Sequence, residues 1–457
     1  MQPTSSQDSL HHRAFSHPFF FSLLAACSLL IALSGSAFAR AAAPAQLLAQ
    51  HFATQERVGF QSGDDWEPSI TADRYGHLYV LYKHYDVTGG QTCKGCDIHL
   101  LFQRSSDGGV TWTNPKPIAP GHTKGGQFDP QIVVDPVDGR TIWASFLENN
   151  TSLIAVVKST DFGETWSPLQ IVSDLPPGLD KDTLIVRGNI VAVGYDDDLN
   201  TWASVSLDGG VTWATHEIFA GDAQFNLPLS AGGGIDLHGN LFFSWDSFDA
   251  AHSENGDGPV TLWVTKSTDG GNHWKRTVID VSGAPPPCDN CGFAYLSAQM
   301  AMKIASDDTI YLIWNGTVDQ TDFAPERIFF ARSTDDGKSY GPRKEVSDAP
   351  DGVEHCFPYL TVGAKAGDVR LGWMDMRTGA WNLFYRSSLN GGKSLTPTVQ
   401  VSGFVAGYPY LTHKGFASPY GDYFQMVVDD DNTTQMAFGE GPSYQGPGNI
   451  WVSHSLS

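Results

Sequence analysis

Acidic and aromatic residues stand together at the ends of short apolar segments along this chain. Trp66-Glu67, Phe128-Asp129 and Asp180 with Asp182 open such segments, while Tyr195-Asp196, Trp245-Asp246 and Trp373 with Asp375 and Arg377 close them. Two carboxyl groups of unequal acidity supply the acid and base, or acid and nucleophile, of glycosidic cleavage. Aromatic faces stack on the C–H surfaces of sugars, and a guanidinium can fix a substrate oxygen. The candidate catalytic set is therefore Glu67, Asp129, Asp246 and Asp375, with Trp66 as a stacking face and Arg377 as a positioning group. Glu67 and Asp129 open consecutive units and are the pair expected to meet. Like charges at close range push one pKa up, leaving one group protonated and the other ionised. Asp375 and Arg377, two residues apart, can point the same way, and a salt bridge that only holds their loop is the alternative reading.

The elements that must position these groups are strands in a repeating array. SSDGGVTW runs from Ser105 to Trp112, STDFGETW from Ser159 to Trp166, SLDGGVTW from Ser206 to Trp213 and STDGGNHW from Ser267 to Trp274. STDDGKSY from Ser333 and SLNGGKSL from Ser388 are weaker copies. A period of roughly fifty residues marks a propeller or solenoid. Within each copy the Asp caps backbone N–H groups of a tight hairpin, Gly supplies a positive φ, and the aromatic ring packs beneath the turn. Three apolar runs precede each turn, as in EPSITAD, HLYVLYKHY and IHLLFQRS of the first unit, and their alternation favours strands. A seventh unit, from Tyr423, has three runs and no fourth. Arg57 to Phe60, which has no unit of its own, is expected to pair with Asn449 to Ser455 and close the ring. The expected fold is all-β, a single propeller of seven four-stranded blades, with six as the alternative count.

The repeated octapeptide closely resembles the Asp box, or bacterial neuraminidase repeat, of sialidase-like β-propellers. That resemblance implies that the boxes lie on the face opposite the site, leaving the strand ends listed above to build the working rim. It also implies a glycoside hydrolase. Sialidases of this kind carry an FRIP motif whose Arg opens a triad that clamps the substrate carboxylate. Here the corresponding segment reads DWEP, with Trp66 in place of that Arg, and no matching Tyr–Glu motif is found. The expected substrate is thus an extracellular glycan or other small ligand that need not be sialylated. A non-catalytic binding propeller is the second reading, and a metal-dependent oxidoreductase using His84, His355, Cys356 or the CxxC loops is the third.

Export and charge narrow the classes further. Basic residues, an apolar run from Phe19 to Leu33, and Ala37-Phe38-Ala39 have the layout of a secretory signal over residues 1–39. Residues 40–56 read as a linker and 57–457 as the propeller, in a secreted or periplasmic protein. Leu24-Ala25-Ala26-Cys27 offers lipid anchoring at Cys27 as the alternative. With 28 Lys plus Arg against 50 Asp plus Glu, net −22, the chain is not a nucleic-acid binder, and nothing in it is expected to span a membrane. A monomer without a cofactor is expected. Cys93 with Cys96, and Cys288 with Cys291, are read as two local disulfides of an exported protein, with a shared four-thiolate metal site as the alternative and Cys356 left over.

Overall fold

The structure, a computed structural model, describes residues 51–59, 62–87, 98–119, 125–222, 225–249, 258–287 and 297–456, the side chains of 225–231 excepted. The cysteines at 93, 96, 288 and 291 lie outside these residues. The chain forms seven antiparallel blades of four strands arranged as a propeller, with one short 3-10 turn, Val318–Gln320, among the described residues. The first blade, Asp64–Ala72, Leu78–Tyr85, Ile98–Ser105 and Lys116–Pro117, sets the pattern. Innermost strands of the next five are Phe128–Val134, Asp180–Arg187, Phe225–Ile235, Met300–Ile304 and His355–Val362. Second strands such as Leu78–Tyr85 and Val369–Asp375 are buried along their whole length, because blades pack on both of their faces.

The seventh blade joins the two ends of the described chain. Gln425–Val428, Thr434–Gly441 and Asn449–Leu456 supply three strands, and the fourth comes from the N-terminal side. Glu56–Val58 pairs with Ile450–Val452, and His51–Phe52 extends the same edge against Ser455 and Leu456. Gln55 reaches inward to donate to Glu440 at 2.8 Å. This pairing covers an edge that would otherwise expose a row of unpaired backbone groups.

Each octapeptide folds as its residue types require. In the first, Asp107 Oδ1 accepts from the Thr111 N–H at 2.8 Å, its Oδ2 accepts from the Thr111 hydroxyl, and Ser105 Oγ accepts from the Gly109 N–H at 2.9 Å. Asp161, Asp208, Asp269, Asp335 and Asn390 repeat the arrangement. The basic residue before the box serine reaches the next box: Arg104 donates to Phe162 O, Lys158 to Gly209 O and Arg332 to Gly391 O, each at 3.0 Å. The boxes therefore tie neighbouring blades together. Antiparallel order puts them on the face opposite the starts of the inner strands.

Candidate functional site

The site is built at those strand starts. In five blades one residue of this stretch takes a left-handed backbone although it is not glycine: Glu67, Asp129, Lys181, Phe357 and Asp422, all with φ between 49° and 53°. The register shifts by a bulge across four of these positions, at Trp66/Ser69, Phe128/Gln131, Asp180/Thr183 and Cys356/Tyr359. A bulge re-aims a side chain. Each left-handed residue costs about 1–3 kcal/mol, and such strain persists where the surroundings hold it.

The charged members come from consecutive blades, the seventh, first, second and third, and they interlock. Lys181 Nζ lies 2.5 Å from Asp422 and 3.9 Å from Asp129. Glu67 accepts the Asp129 backbone N–H at 3.0 Å and the Lys83 ammonium at 2.5 Å. Lys83 is buried among the rings of Phe128, Trp66 and Tyr85, 4.8–5.4 Å from their centroids. Below this collar the ring encloses a cavity of about 400 Å³. Asp129, Asp180, Lys181, Asp182, Asp246, Asp422 and Tyr423 line it, with Ile132, Leu184 and Met300 as part of the apolar wall.

Acidities diverge across this wall. Burial, then the charge of Asp129, pushes Glu67 up to about 8 against the pull of Lys83. Burial also raises Asp180 to about 7, aided by the charge of Asp129. Asp129 goes the other way, to about 2: Lys181 and Lys83 outweigh its own burial, and Asp180 donates a hydrogen bond to it. Asp246 and Asp182 are raised well above the carboxylate range by burial. Below about pH 7 the proton therefore rests on Asp180, and Asp129 stays ionised.

The residues predicted from sequence fall into two groups. Asp129 and Asp246 line the cavity, and Glu67 stands directly behind Asp129. Trp66 is 1 % exposed and offers no stacking face, because Tyr420, Tyr444 and Tyr85 crowd its ring at 4.1, 5.6 and 6.4 Å. Asp375 and Arg377 are bound to each other at 2.7 Å, Arg377 also holds Asp348 and lies over Phe384, and neither lines the cavity. That is the loop-holding salt bridge. His84 is held by Asp65 at 2.7 Å, and His355 and Cys356 are buried away from the cavity. Among the described residues, no three of His, Cys, Asp and Glu are placed to hold a metal ion.

Sequence reading passed over Lys181 and Tyr423 and did not select Asp180. A signal existed: DKD at 180–182 is in phase with WEP at 66–68 and FDP at 128–130, so Lys181 occupies the position of Glu67 and Asp129.

The raised groups have a consequence for stability. Glu67, Asp180 and Glu440, the last also raised to about 8 by burial, keep protons in the folded state that the unfolded chain releases above about pH 4. Their contribution is full below pH 4 and is lost as pH rises through 7–8. The thermal midpoint should therefore fall between pH 5 and pH 9. Glu440→Gln, which retains the partner of Gln55, should flatten that slope; a slope unchanged in the variant would remove Glu440 as a cause.

No protein-family profile and no curated protein sequence matches this chain. Solved structures share its ring. A protein of unknown function from Dyadobacter fermentans DSM 18053 is 15 % identical, with 89 % of this chain and 98 % of that one covered and a TM-score of 0.52. An ulvan lyase of polysaccharide lyase family PL25 is 11 % identical, with 86 % and 95 % covered and a TM-score of 0.53. The Hadza microbial sialidase Hz136 is 14 % identical, with 86 % of this chain and 66 % of the sialidase covered and a TM-score of 0.46. At these identities the likeness to the first two establishes the fold alone, and among the described residues no helix is long and apolar enough to cross a membrane.

Proposed function

We propose that this protein is a glycan-acting hydrolase of the Asp-box propeller family whose reaction takes place in the axial cavity. The observation that carries the reading is the Asp129–Asp180 pair, lining one cavity with one carboxyl at about 2 and the other at about 7. The ring shared with a polysaccharide lyase, solved with -[GlcA(1-4)Rha3S]- bound, adds support. In this reading the glycosidic oxygen replaces Asp129 as acceptor of the Asp180 proton. The C–O bond breaks with its electron pair on that oxygen. Asp129, ionised, faces the positive charge that develops on the sugar ring. Water adds to the sugar carbon, Asp129 takes its proton, and the restored hydrogen bond returns that proton to Asp180. Glu67 positions Asp129 through its backbone N–H, and Lys181 keeps it ionised.

The proposal includes export under the signal at residues 1–39, a linker at 40–56 ahead of the propeller, a monomeric state, and the local bridges Cys93–Cys96 and Cys288–Cys291. Non-reducing peptide mapping tests the bridges.

The function is tested by exposing the purified protein to neutral, amino and sialylated oligosaccharides and identifying released products by mass spectrometry. Hydrolysis should be fastest below pH 7 and fall as pH rises through about 7, where Asp180 loses its proton, whereas Asp129 stays charged down to about pH 2. Products absent from the whole panel would overturn the hydrolase. Saturable binding without products would instead support a binding propeller.

A further inference from the structure

Two carboxyl groups on the cavity wall hold acceptor capacity that no other described residue uses. Asp246, from the second strand of the fourth blade, is 1 % exposed, and neither of its carboxyl oxygens meets a donor from another described residue. Asp182 accepts the Ser145 hydroxyl on Oδ2, while its buried Oδ1 has no partner among them. Both line the cavity. A buried polar atom without a partner costs free energy that a bound donor would recover.

The charges around them select the donor. Asp129, Asp180 and Asp422 share the wall, and its cations among the described residues are Lys181 and Lys303. Lys181 is occupied by Asp422 and Asp129, and Lys303 lies over the Tyr359 ring. Among the described residues no arginine lines the cavity, so none of them offers a bidentate grip on a carboxylate or sulfate. An anionic sugar would find Lys181 already engaged by Asp422 and Asp129. An ammonium brings three donors and the complementary charge.

Resting on the reading of this cavity as a glycan site, we propose that its sugar is an amino sugar with its ammonium seated on the Asp246 carboxyl. Asp182 accepts from a further donor of the same sugar, and Ile132, Leu184 and Met300 face its C–H surface. Without ligand, burial pushes the Asp246 carboxyl up, with Lys181 as the charge opposing it, and burial with the charges of Asp129 and Asp180 pushes Asp182 up. The Tyr423 hydroxyl, also on the wall, is held neutral by burial and by the carboxylates around it. Seating an ammonium on Asp246 replaces a proton, so binding should release one and strengthen as pH rises.

The experiment is calorimetric titration of the full chain with glucosamine oligomers, their N-acetylated counterparts and a sialylated oligosaccharide. The glucosamine oligomer should bind at least tenfold more tightly than the N-acetylated one. Its heat should vary with buffer ionisation enthalpy in the sense of proton release. Asp246→Asn, neutral and of the same shape as the protonated acid, should lose both the preference and the proton release. Equal or tighter binding of the acetylated or sialylated sugars, no binding of any, or a preference retained in the variant would overturn the proposal. The wild-type preference and proton release remain decisive even if the variant fails to fold. Hydrolysis of neutral oligosaccharides without amine selectivity would sink this inference and spare the hydrolase. Amine-selective binding without products would do the reverse.

Discussion

Asp129→Asn should lower turnover by about a hundredfold to ten-thousandfold, the range set by loss of a positioned acid or base, while the ring stays folded. The amide can take neither the proton of water nor the charge-stabilising role opposite the sugar ring. Folding should survive because Asn tolerates the left-handed backbone that Asp129 adopts at φ 49°. Lys181, deprived of its weaker partner at 3.9 Å, keeps Asp422 at 2.5 Å. The check is kcat on any oligosaccharide the wild type cleaves, together with a circular dichroism melt. Activity within tenfold of wild type would remove Asp129 from the chemistry.

Trp66→Ala should destabilise the protein by about 3–5 kcal/mol, the usual cost of emptying a Trp-sized site in a core. Trp66 packs against Tyr420, Tyr444 and Tyr85, and the Lys83 ammonium lies 5.0 Å from its ring. The substitution therefore opens a void and strips Lys83 of one aromatic face. A lower denaturant midpoint at unchanged slope would report that loss. A variant of wild-type stability with a raised KM would instead return Trp66 to the role of stacking platform.

The fold was legible because its signals are local. An Asp or Asn whose side chain caps the N–H and side chain of the residue four on, followed by glycine in the left-handed region, makes the same turn wherever it is written, and six such turns in succession require an array. Ring closure could be read from the missing fourth strand of the last unit and the unassigned segment near Arg57. Of the site, the sequence determined which residues start the inner strands, and hence that Glu67 and Asp129 would adjoin.

What the sequence did not determine was which way each side chain turns. Trp66 and Glu67 are neighbours on one strand, yet a bulge sends Trp66 into an aromatic core and Glu67 against Lys83 and Asp129. Asp375 looks like Asp246 in sequence, each two residues past or one after a tryptophan at a strand end. Arg377 claims Asp375, whereas Asp246 is left facing the cavity. Lys181 becomes visible as part of the site only when the seventh and second blades bring Asp422 and Asp129 to it from positions far apart in the chain. The acidities follow the same rule, because desolvation and neighbouring charges from other blades set them, and both exist only once the ring has closed.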